Sequence, residues 1–172
     1  MGAPTDNFDL AGLRLTSGEG RRLDLTVRVE PFVLSEDTYE VDPAVVPVRL
    51  DVSRTTGQGY ALRLRFHAAL QGPCMRCLER ADASFVIDAR EISQPGAGEE
   101  LDSPYVSAGI LDVGAWTRDA LALNLPRSIL CREDCAGLCP VCGTDLNNAE
   151  PEHQHESEPD PRWAKLSEIK FD

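Results

Sequence analysis

The sequence lacks the features that mark several large classes of protein. It has no phosphate-cradling glycine loop, no Ser/His/Asp order, no paired-carboxylate site and no internal repeat. No apolar stretch approaches the length of a membrane span, and the first ten residues carry Asp6 and Asp9 instead of a hydrophobic run. We therefore expect a cytoplasmic protein without a signal peptide, which is not an enzyme, has no small-molecule substrate and contacts no membrane.

Positive charge is scarce, above all in the second half of the chain. The 172 residues contain 17 Lys and Arg against 29 Asp and Glu, a net charge of −12. Residues 1–90 carry 11 basic against 13 acidic residues, whereas residues 91–172 carry 6 against 16. Because an acidic surface repels phosphate backbones at long range, a basic protein matches this chain better than nucleic acid does.

The six cysteines fall into closely spaced sets, and none is isolated. One set is Cys74-Met-Arg-Cys77, and the other is Cys131-Arg-Glu-Asp-Cys135-Ala-Gly-Leu-Cys139-Pro-Val-Cys142-Gly143. In a reducing compartment such pairs more often bind a metal or act catalytically than form disulfides. Pro140 presets one turn dihedral and Gly143 tolerates a positive φ, so the last pair has the composition of a metal-binding turn.

Counting ligands favours more than one zinc ion. The six cysteines with His153 and His155 make eight candidates, enough for two tetrahedral sites. The favoured arrangement has Cys74, Cys77, Cys131 and Cys135 in one site and Cys139, Cys142, His153 and His155 in the other. Three alternatives stay open: one site of Cys74, Cys77, Cys139 and Cys142, one local site of Cys131, Cys135, Cys139 and Cys142, and disulfides or reactive thiols.

Alternating apolar and polar residues predict an antiparallel sheet before the second cysteine set. We expect a strand at residues 22–30, a hairpin with strands at 46–54 and 60–70, and a further strand at 83–92. The first C-x-x-C pair then lies in a turn between two strands. The remaining segments are predicted as a short strand or loose arm at 1–20, a loop at 31–43 and a linker at 93–108.

One helix is predicted, with Asp112 as its N-cap and an end near Asn124, before Pro126. The whole prediction is an α+β fold: an antiparallel sheet with a long hairpin, one main helix and a cysteine-rich, zinc-binding C-terminal segment. We divide the chain into an antiparallel α+β core at residues 1–130 and a zinc-knuckle segment with an acidic tail at 131–172. Residues 161–171 carry spaced apolar residues and are predicted to form a terminal docking motif.

The outward face of the predicted hairpin is basic. It carries Arg49, Arg63, Arg65 and His67, which alternate with the inward apolar residues. Like charges that meet across a hairpin need either a solvated surface or an anionic partner such as RNA. Both interpretations stay open at the level of sequence.

Five motifs are distinctive in combination. They are Cys74-Met-Arg-Cys77-Leu78, Asp119-Ala-Leu-Ala-Leu-Asn-Leu-Pro126, the stretch at 131–143, Leu146-Asn147 and Asp160-Pro-Arg-Trp-Ala-Lys-Leu166. Together they resemble the YceD family, bacterial proteins associated with the accumulation of large-subunit ribosomal RNA. The resemblance implies a non-enzymatic, cytoplasmic role in 23S ribosomal RNA maturation or 50S assembly, with a link to a zinc-binding ribosomal protein of the large subunit.

The leading hypothesis is therefore an assembly factor that acts through a basic ribosomal protein, with 23S ribosomal RNA as a further candidate partner. A zinc-ribbon regulator that reads nucleic acid directly is the first alternative, but only Arg76, Arg80 and Arg132 supply positive charge near the cysteines. A thiol-disulfide redox protein is the second, although neither C-x-x-C pair precedes a good predicted helix.

Overall fold

The larger of two sheets contains six antiparallel strands. The computed structural model describes residues 3–96, 98, 101–150 and 152–155. In it the six strands are β2 (Gly20–Arg28), β3 (Phe32–Leu34), β4 (Asp37–Asp42), β5 (Val45–Arg54), β6 (Tyr60–Pro73) and β7 (Arg80–Ser93). β6 is the central strand, because β7 pairs along its whole length while its other edge pairs first with β5 and then with β4. β2 lies outside β5, and β3 lies outside β4.

The predicted hairpin and its inward face are confirmed. β5 and β6 pair with Leu50 opposite Leu64 and Arg54 opposite Tyr60. The alternating apolar residues of both strands are buried: Val46, Val48, Leu50, Val52, Tyr60, Leu62, Leu64, Phe66, Ala68 and Leu70. Because burial of one Val, Leu or Phe side chain contributes about 1.5–3 kcal/mol, this period-two pattern decides which face of the sheet meets the core.

The prediction of a loop at residues 31–43 is wrong. β3 and β4 form a second hairpin with Phe32 opposite Tyr39, and β4 then pairs with β6. The two prolines of this segment suggested a loop, but both lie just outside the strands. Tyr39 and Val41 point into the core. These short strands are stabilised by pairing and burial, which a pattern of three to six residues reveals poorly.

A small second sheet changes the prediction for residues 93–108. β1 (Asn7–Asp9), β8 (Val106–Ser107) and β9 (Ile110–Asp112) pair antiparallel in the order β1-β9-β8. The end of the predicted linker is therefore a strand. The short strand expected near the N-terminus is confirmed as β1, and a 3-10 helix follows it at Ala11–Leu13.

The single predicted helix is confirmed as α1 (Val113–Ala122). Asp112 is its N-cap and accepts the Ala115 N–H at 2.8 Å, as the sequence predicted. Trp116 is buried and stacks on Tyr105, with ring centroids 6.1 Å apart. The helix packs against β2 and β7 and thereby covers part of the sheet. Within the described residues, no helix is both long and apolar enough to cross a membrane.

β6 runs three residues further than predicted and ends directly at the first C-x-x-C turn. Gly72 permits this, because a Cβ at that position would lie 2.8 Å from Tyr39 Cε1, well inside van der Waals contact. The Tyr39 hydroxyl donates a hydrogen bond to the Pro73 carbonyl at 2.8 Å. Tyr39 thus positions the strand end from which Cys74 follows.

Candidate metal centres

The first candidate centre lies where the turn after β6 meets the chain that follows α1. The Met75 N–H donates to the Ile129 carbonyl at 2.9 Å, and the Leu138 N–H donates to the Arg76 carbonyl at 3.1 Å. The Arg76 guanidinium also donates to the Cys135 carbonyl at 2.8 Å. These bonds hold the downstream chain across the turn, with the buried Ile129 as an apolar anchor.

The sulfurs of Cys74, Cys77, Cys131 and Cys135 meet at this junction. All four lie within 4.8 Å of one another. The Cys74 and Cys135 sulfurs are 3.8 Å apart, and the Cys77 and Cys131 sulfurs are 3.5 Å apart. Metal–sulfur bonds of about 2.3 Å in a tetrahedral site place sulfurs about 3.8 Å apart. The four thiols therefore have the spacing of a tetrahedral metal site.

The second candidate centre combines the Cys139/Cys142 turn with two histidines. Gly143 has a φ of 74°, the left-handed conformation that its position predicted, and its N–H donates to the Cys139 carbonyl at 2.8 Å. The Nε2 atoms of His153 and His155 lie 3.5 and 3.3 Å from Cys142 Sγ and 3.2 Å from each other. Metal–nitrogen bonds of about 2.0–2.1 Å in a tetrahedron give nitrogen–nitrogen separations of about 3.3 Å. This set fits the same geometry.

The two centres differ in exposure to solvent. In the first, Cys74, Cys77 and Cys135 are buried, and only Cys131 is partly exposed. In the second, Cys139 is buried but Cys142 and His155 are exposed. The first centre is therefore enclosed by the protein, whereas the second can be reached from solvent.

Four thiols at this spacing oppose one another's ionisation. Burial opposes ionisation of Cys74, yet hydrogen bonds from the backbone at Cys77, Arg76 and Cys131 lower its pKa to about 6. Burial and the neighbouring thiols raise the pKa of Cys131 to about 12. A cation between the sulfurs would stabilise all the thiolates at once, which makes this group a candidate for a metal ion.

In the second centre, Thr144 favours the thiolate form of Cys142. Hydrogen bonds from the Thr144 side chain and backbone lower the pKa of Cys142 to about 6. The Thr144 hydroxyl oxygen lies 3.2 Å from Cys142 Sγ. Since the thiolate is the form that binds metals, Thr144 supports ligation, a role that sequence reasoning did not assign to it.

The structure brings together the two groups of four that the sequence favoured. Cys139 and Cys142 group with the histidines and not with either of the other cysteine pairs, so neither alternative four-cysteine set is assembled. All six cysteines are free thiols, and the sulfurs in contact are 3.5 Å or more apart, against about 2.05 Å in a disulfide. Ligation of a metal by these residues stays a prediction.

Asn147 is a site residue to which the sequence assigned no role, although it belongs to one of the distinctive motifs. Its Nδ2 donates to Cys135 Sγ at 3.6 Å, and its Oδ1 accepts the Ala136 N–H at 2.8 Å. Its place in the chain between Cys142 and His153 was the signal that could have indicated it. Hydrogen bonds of this kind orient metal ligands and tune their basicity.

The basic face of the hairpin is largely neutralised by aspartates. Arg49 and Arg65 lie directly opposite each other in β5 and β6. Three ion pairs relieve the repulsion: Arg63 with Asp88 at 2.5 Å, Arg65 with Asp51 at 2.5 Å, and Arg49 with Asp24 at 3.2 Å. His67 is exposed on the same face. This surface therefore offers less free positive charge than the arginines alone suggested, which supports the solvated interpretation.

Two predictions about the end of the chain stay untested. The docking motif at 161–171 lies outside the described residues. The division of the chain at residue 130 also stays a prediction.

Fold and site together define an antiparallel α+β protein with two cysteine-rich candidate metal centres. A family model described as "Large ribosomal RNA subunit accumulation protein YceD" matches residues 62–170, a range that contains all eight candidate ligands. The chain belongs to this family, and the resemblance read from its motifs is confirmed.

Curated relatives come from mycobacteria. The uncharacterized protein Rv2926c of Mycobacterium tuberculosis is 39% identical over 104 residues, which cover 57% of this chain and 49% of that protein. The uncharacterized protein ML1660 of Mycobacterium leprae is 32% identical over 161 residues, which cover 87% of this chain and 73% of that protein. The chain thus spans about half the length of the Mycobacterium tuberculosis relative. No solved structure matches it significantly.

Proposed function

We propose that this protein is a non-enzymatic, cytoplasmic factor in the accumulation of 23S ribosomal RNA and the assembly of the 50S subunit. The family match over residues 62–170 carries the proposal. Each candidate centre within that range offers four candidate protein ligands. Four protein ligands leave no open coordination position, which suits a structural metal better than a catalytic one.

We assign zinc to both centres. Zinc favours tetrahedral sites built from thiolate and imidazole, and the sets of four sulfurs and of two sulfurs with two nitrogens are among those it binds best. In the first centre, zinc would fasten the chain after α1 to the turn after β6. Metal binding then becomes part of the folding free energy, on the order of 10 kcal/mol or more for a structural site at neutral pH.

The proposed partner is a basic, zinc-binding protein of the large subunit, as the family resemblance implies. Near the candidate centres, Glu133, Asp134, Glu150 and Glu152 are exposed, and of these only Asp134 has an ion-pair partner among the described residues, Arg132 at 3.3 Å. The arginines of the sheet face, in contrast, are paired with aspartates. Complementary charge speeds association and selects the partner, so the acidic cysteine-rich segment is the better contact surface. In this proposal the protein acts on 23S ribosomal RNA through that partner.

Sedimentation of cell extracts tests the proposal. At native expression the protein should co-sediment with precursors of the 50S subunit, and its depletion should lower the ratio of 23S to 16S ribosomal RNA. The double substitution E133K/D134K should weaken co-sedimentation. The matched control E36K/D37K reverses two exposed charges at the tip of the β3–β4 hairpin, Glu36 in the turn and Asp37 at the start of β4, and should have little effect. A protein confined to ribosome-free fractions, with unchanged 23S levels after depletion, contradicts the proposal.

The two alternatives make different predictions. A zinc-ribbon regulator that reads nucleic acid should bind ribosomal RNA fragments tightly and sequence-dependently as an isolated protein at physiological salt, which a filter-binding assay measures. A thiol-disulfide redox protein should lose activity on alkylation and keep it without zinc. The arginines on the sheet face do not favour the first alternative, because each of Arg49, Arg63 and Arg65 is already paired with an aspartate.

A further inference from the structure

We propose that Asn147 couples the two metal centres, so that metal bound in the second centre raises the metal affinity of the first. The inference rests on the proposed binding of metal to both groups. It assigns a positioning role to a residue that is not itself a ligand. Asn147 belongs to the loop that joins two ligands of the second centre, Cys142 and His153, yet its side chain contacts a ligand of the first.

Three hydrogen bonds attach this loop to the first centre. The Asn147 amide donates to Cys135 Sγ at 3.6 Å and accepts the Ala136 N–H at 2.8 Å. The Leu146 N–H donates to the Gly137 carbonyl at 2.8 Å. The loop therefore lies along the chain that immediately follows Cys135.

Asp145 fixes the orientation of the Asn147 side chain. Its carboxylate accepts the Asn147 backbone N–H at 3.0 Å and the Asn147 Nδ2–H at 2.6 Å. The same carboxylate accepts the Asn148 Nδ2–H at 2.7 Å. The amide is thus held in one orientation, with its remaining N–H available to the sulfur.

An amide N–H directed at a thiolate stabilises the negative charge on sulfur and holds the sulfur in place for the metal. Loss of such an outer contact typically lowers metal affinity about 10–100-fold. Cys135 already receives support at its carbonyl from Arg76. Asn147 adds the hydrogen bond that reaches the ligand atom itself.

The second centre closes the loop that presents Asn147. Cys139 and Cys142 hold one end and His153 and His155 the other, so a metal bound there restricts the loop to the conformation seen here. Without that metal, the loop must be ordered when the first centre fills. The free energy spent on ordering the loop then weakens metal binding at the first centre. By linkage, metal in the first centre must raise the metal affinity of the second by the same factor.

The test measures metal affinity at each centre by chelator competition on the full chain, with Co²⁺ as a spectroscopic probe. N147A should lower the affinity of the first centre about 10–100-fold and shift its sulfur-to-cobalt charge-transfer band. N148A is the matched control, because the neighbouring asparagine also binds Asp145 but makes no described contact with sulfur. It should change the affinity less than about threefold and leave the band unmoved. N147S, which adds no charge beside Asp145 but is too short to reach both the Ala136 N–H and Cys135 Sγ, is a second variant if N147A folds poorly.

A double-mutant cycle tests the coupling itself. H153A/H155A, which removes two ligands of the second centre, should weaken the first centre by a factor similar to that of N147A. When N147A is added to H153A/H155A, the metal affinity of the first centre should fall by less than about a further threefold. Two results would overturn the coupling but leave the metal centres standing. One is that N147A and N148A both bind two metals with equal affinity at the first centre. The other is that the losses from N147A and from H153A/H155A multiply fully in the combined variant. A wild-type chain that binds fewer than two metals would overturn the proposed metal centres as well.

Discussion

The sulfurs of Cys77 and Cys131 lie 3.5 Å apart, although the two residues are 54 positions apart in the chain. Between them run the whole of β7, the strands β8 and β9 of the small sheet, and α1. A metal shared by these sulfurs would therefore close a long loop around the part of the fold that covers the sheet. The chain after α1 has no strand of its own in the larger sheet, so this junction is its main attachment among the described residues.

Metal stoichiometry is the first prediction. The purified wild-type chain should contain two zinc ions, and C139S/C142S should retain one, because the first group of four sulfurs is untouched. C77S/C131S should also lose one and should unfold far more readily, since the enclosed centre contributes to folding. Elemental analysis and thermal unfolding measure both effects. One zinc in the wild type and none in C139S/C142S would instead indicate a single site that depends on the second pair.

Metal removal should expose Cys142 to alkylation first. This thiol is solvent-exposed and its pKa is lowered to about 6 by hydrogen bonds from Thr144, so most of it is thiolate at pH 7. Cys131 has a pKa raised to about 12 by burial and neighbouring thiols and should react slowly. Mass spectrometry after brief iodoacetamide treatment of chelated protein checks the order.

The rate at Cys142 should fall as the pH drops through about 6, because the thiolate is the nucleophile. Zinc-loaded protein should be protected at both positions. Rapid labelling of Cys142 in the presence of saturating zinc would mean that the second centre does not bind the metal through this sulfur.

G72A should destabilise the protein by about 1–3 kcal/mol. A Cβ at Gly72 meets the ring of buried Tyr39, which also holds the end of β6 through its hydroxyl. Urea unfolding of the zinc-loaded protein measures the change. G114A is the control in the opposite direction: its Cβ would meet nothing closer than 3.5 Å, and in the first turn of α1 alanine should add at most about 0.5–1 kcal/mol, the value for a helix interior. Equal effects of both substitutions would show that the contact with Tyr39 is not limiting.

Asp51 should make stability depend on pH in the acid range. Hydrogen bonds from Arg22 and Arg65 lower its pKa below the ordinary value of 3.8. A carboxyl whose folded pKa is lowered contributes stability that is fully present above the unfolded pKa and is lost as pH falls through the folded pKa. D51N should therefore cost about 0.5–1 kcal/mol at pH 7, and its difference from wild type should shrink below pH 3.8.

D24N is the matched substitution for that experiment. Its pair with Arg49 lies on the same face, but the Asp24 side chain is 76% exposed against 25% for Asp51. Solvent screens the exposed pair more strongly, so D24N should cost less. A difference between D51N and wild type that stays constant from pH 7 to pH 2 would show that ionisation of Asp51 does not contribute.

Local patterns along the chain were sufficient for much of the fold. The alternation in β5 and β6 predicted the buried face, Asp112 predicted the start of α1, and the position of Gly143 predicted its left-handed conformation. The spacing of the cysteines and the two histidines was enough to propose two groups of four. Each of these signals acts over a few neighbouring residues, where side-chain periodicity and backbone preference decide the outcome.

Contacts between distant segments were decided only by the tertiary structure. The β3–β4 hairpin and the small sheet depend on partners far along the chain, and the aspartates that neutralise Arg63 and Arg65 come from other strands. The hydrogen bond from Asn147 to Cys135 likewise exists only once the loop has folded back. Spacing in the sequence left several cysteine groupings possible. The tertiary structure chose among them, since β6 places Cys74 beside the chain that follows α1. Only packing can bring sulfurs so distant in the sequence within reach of one ion.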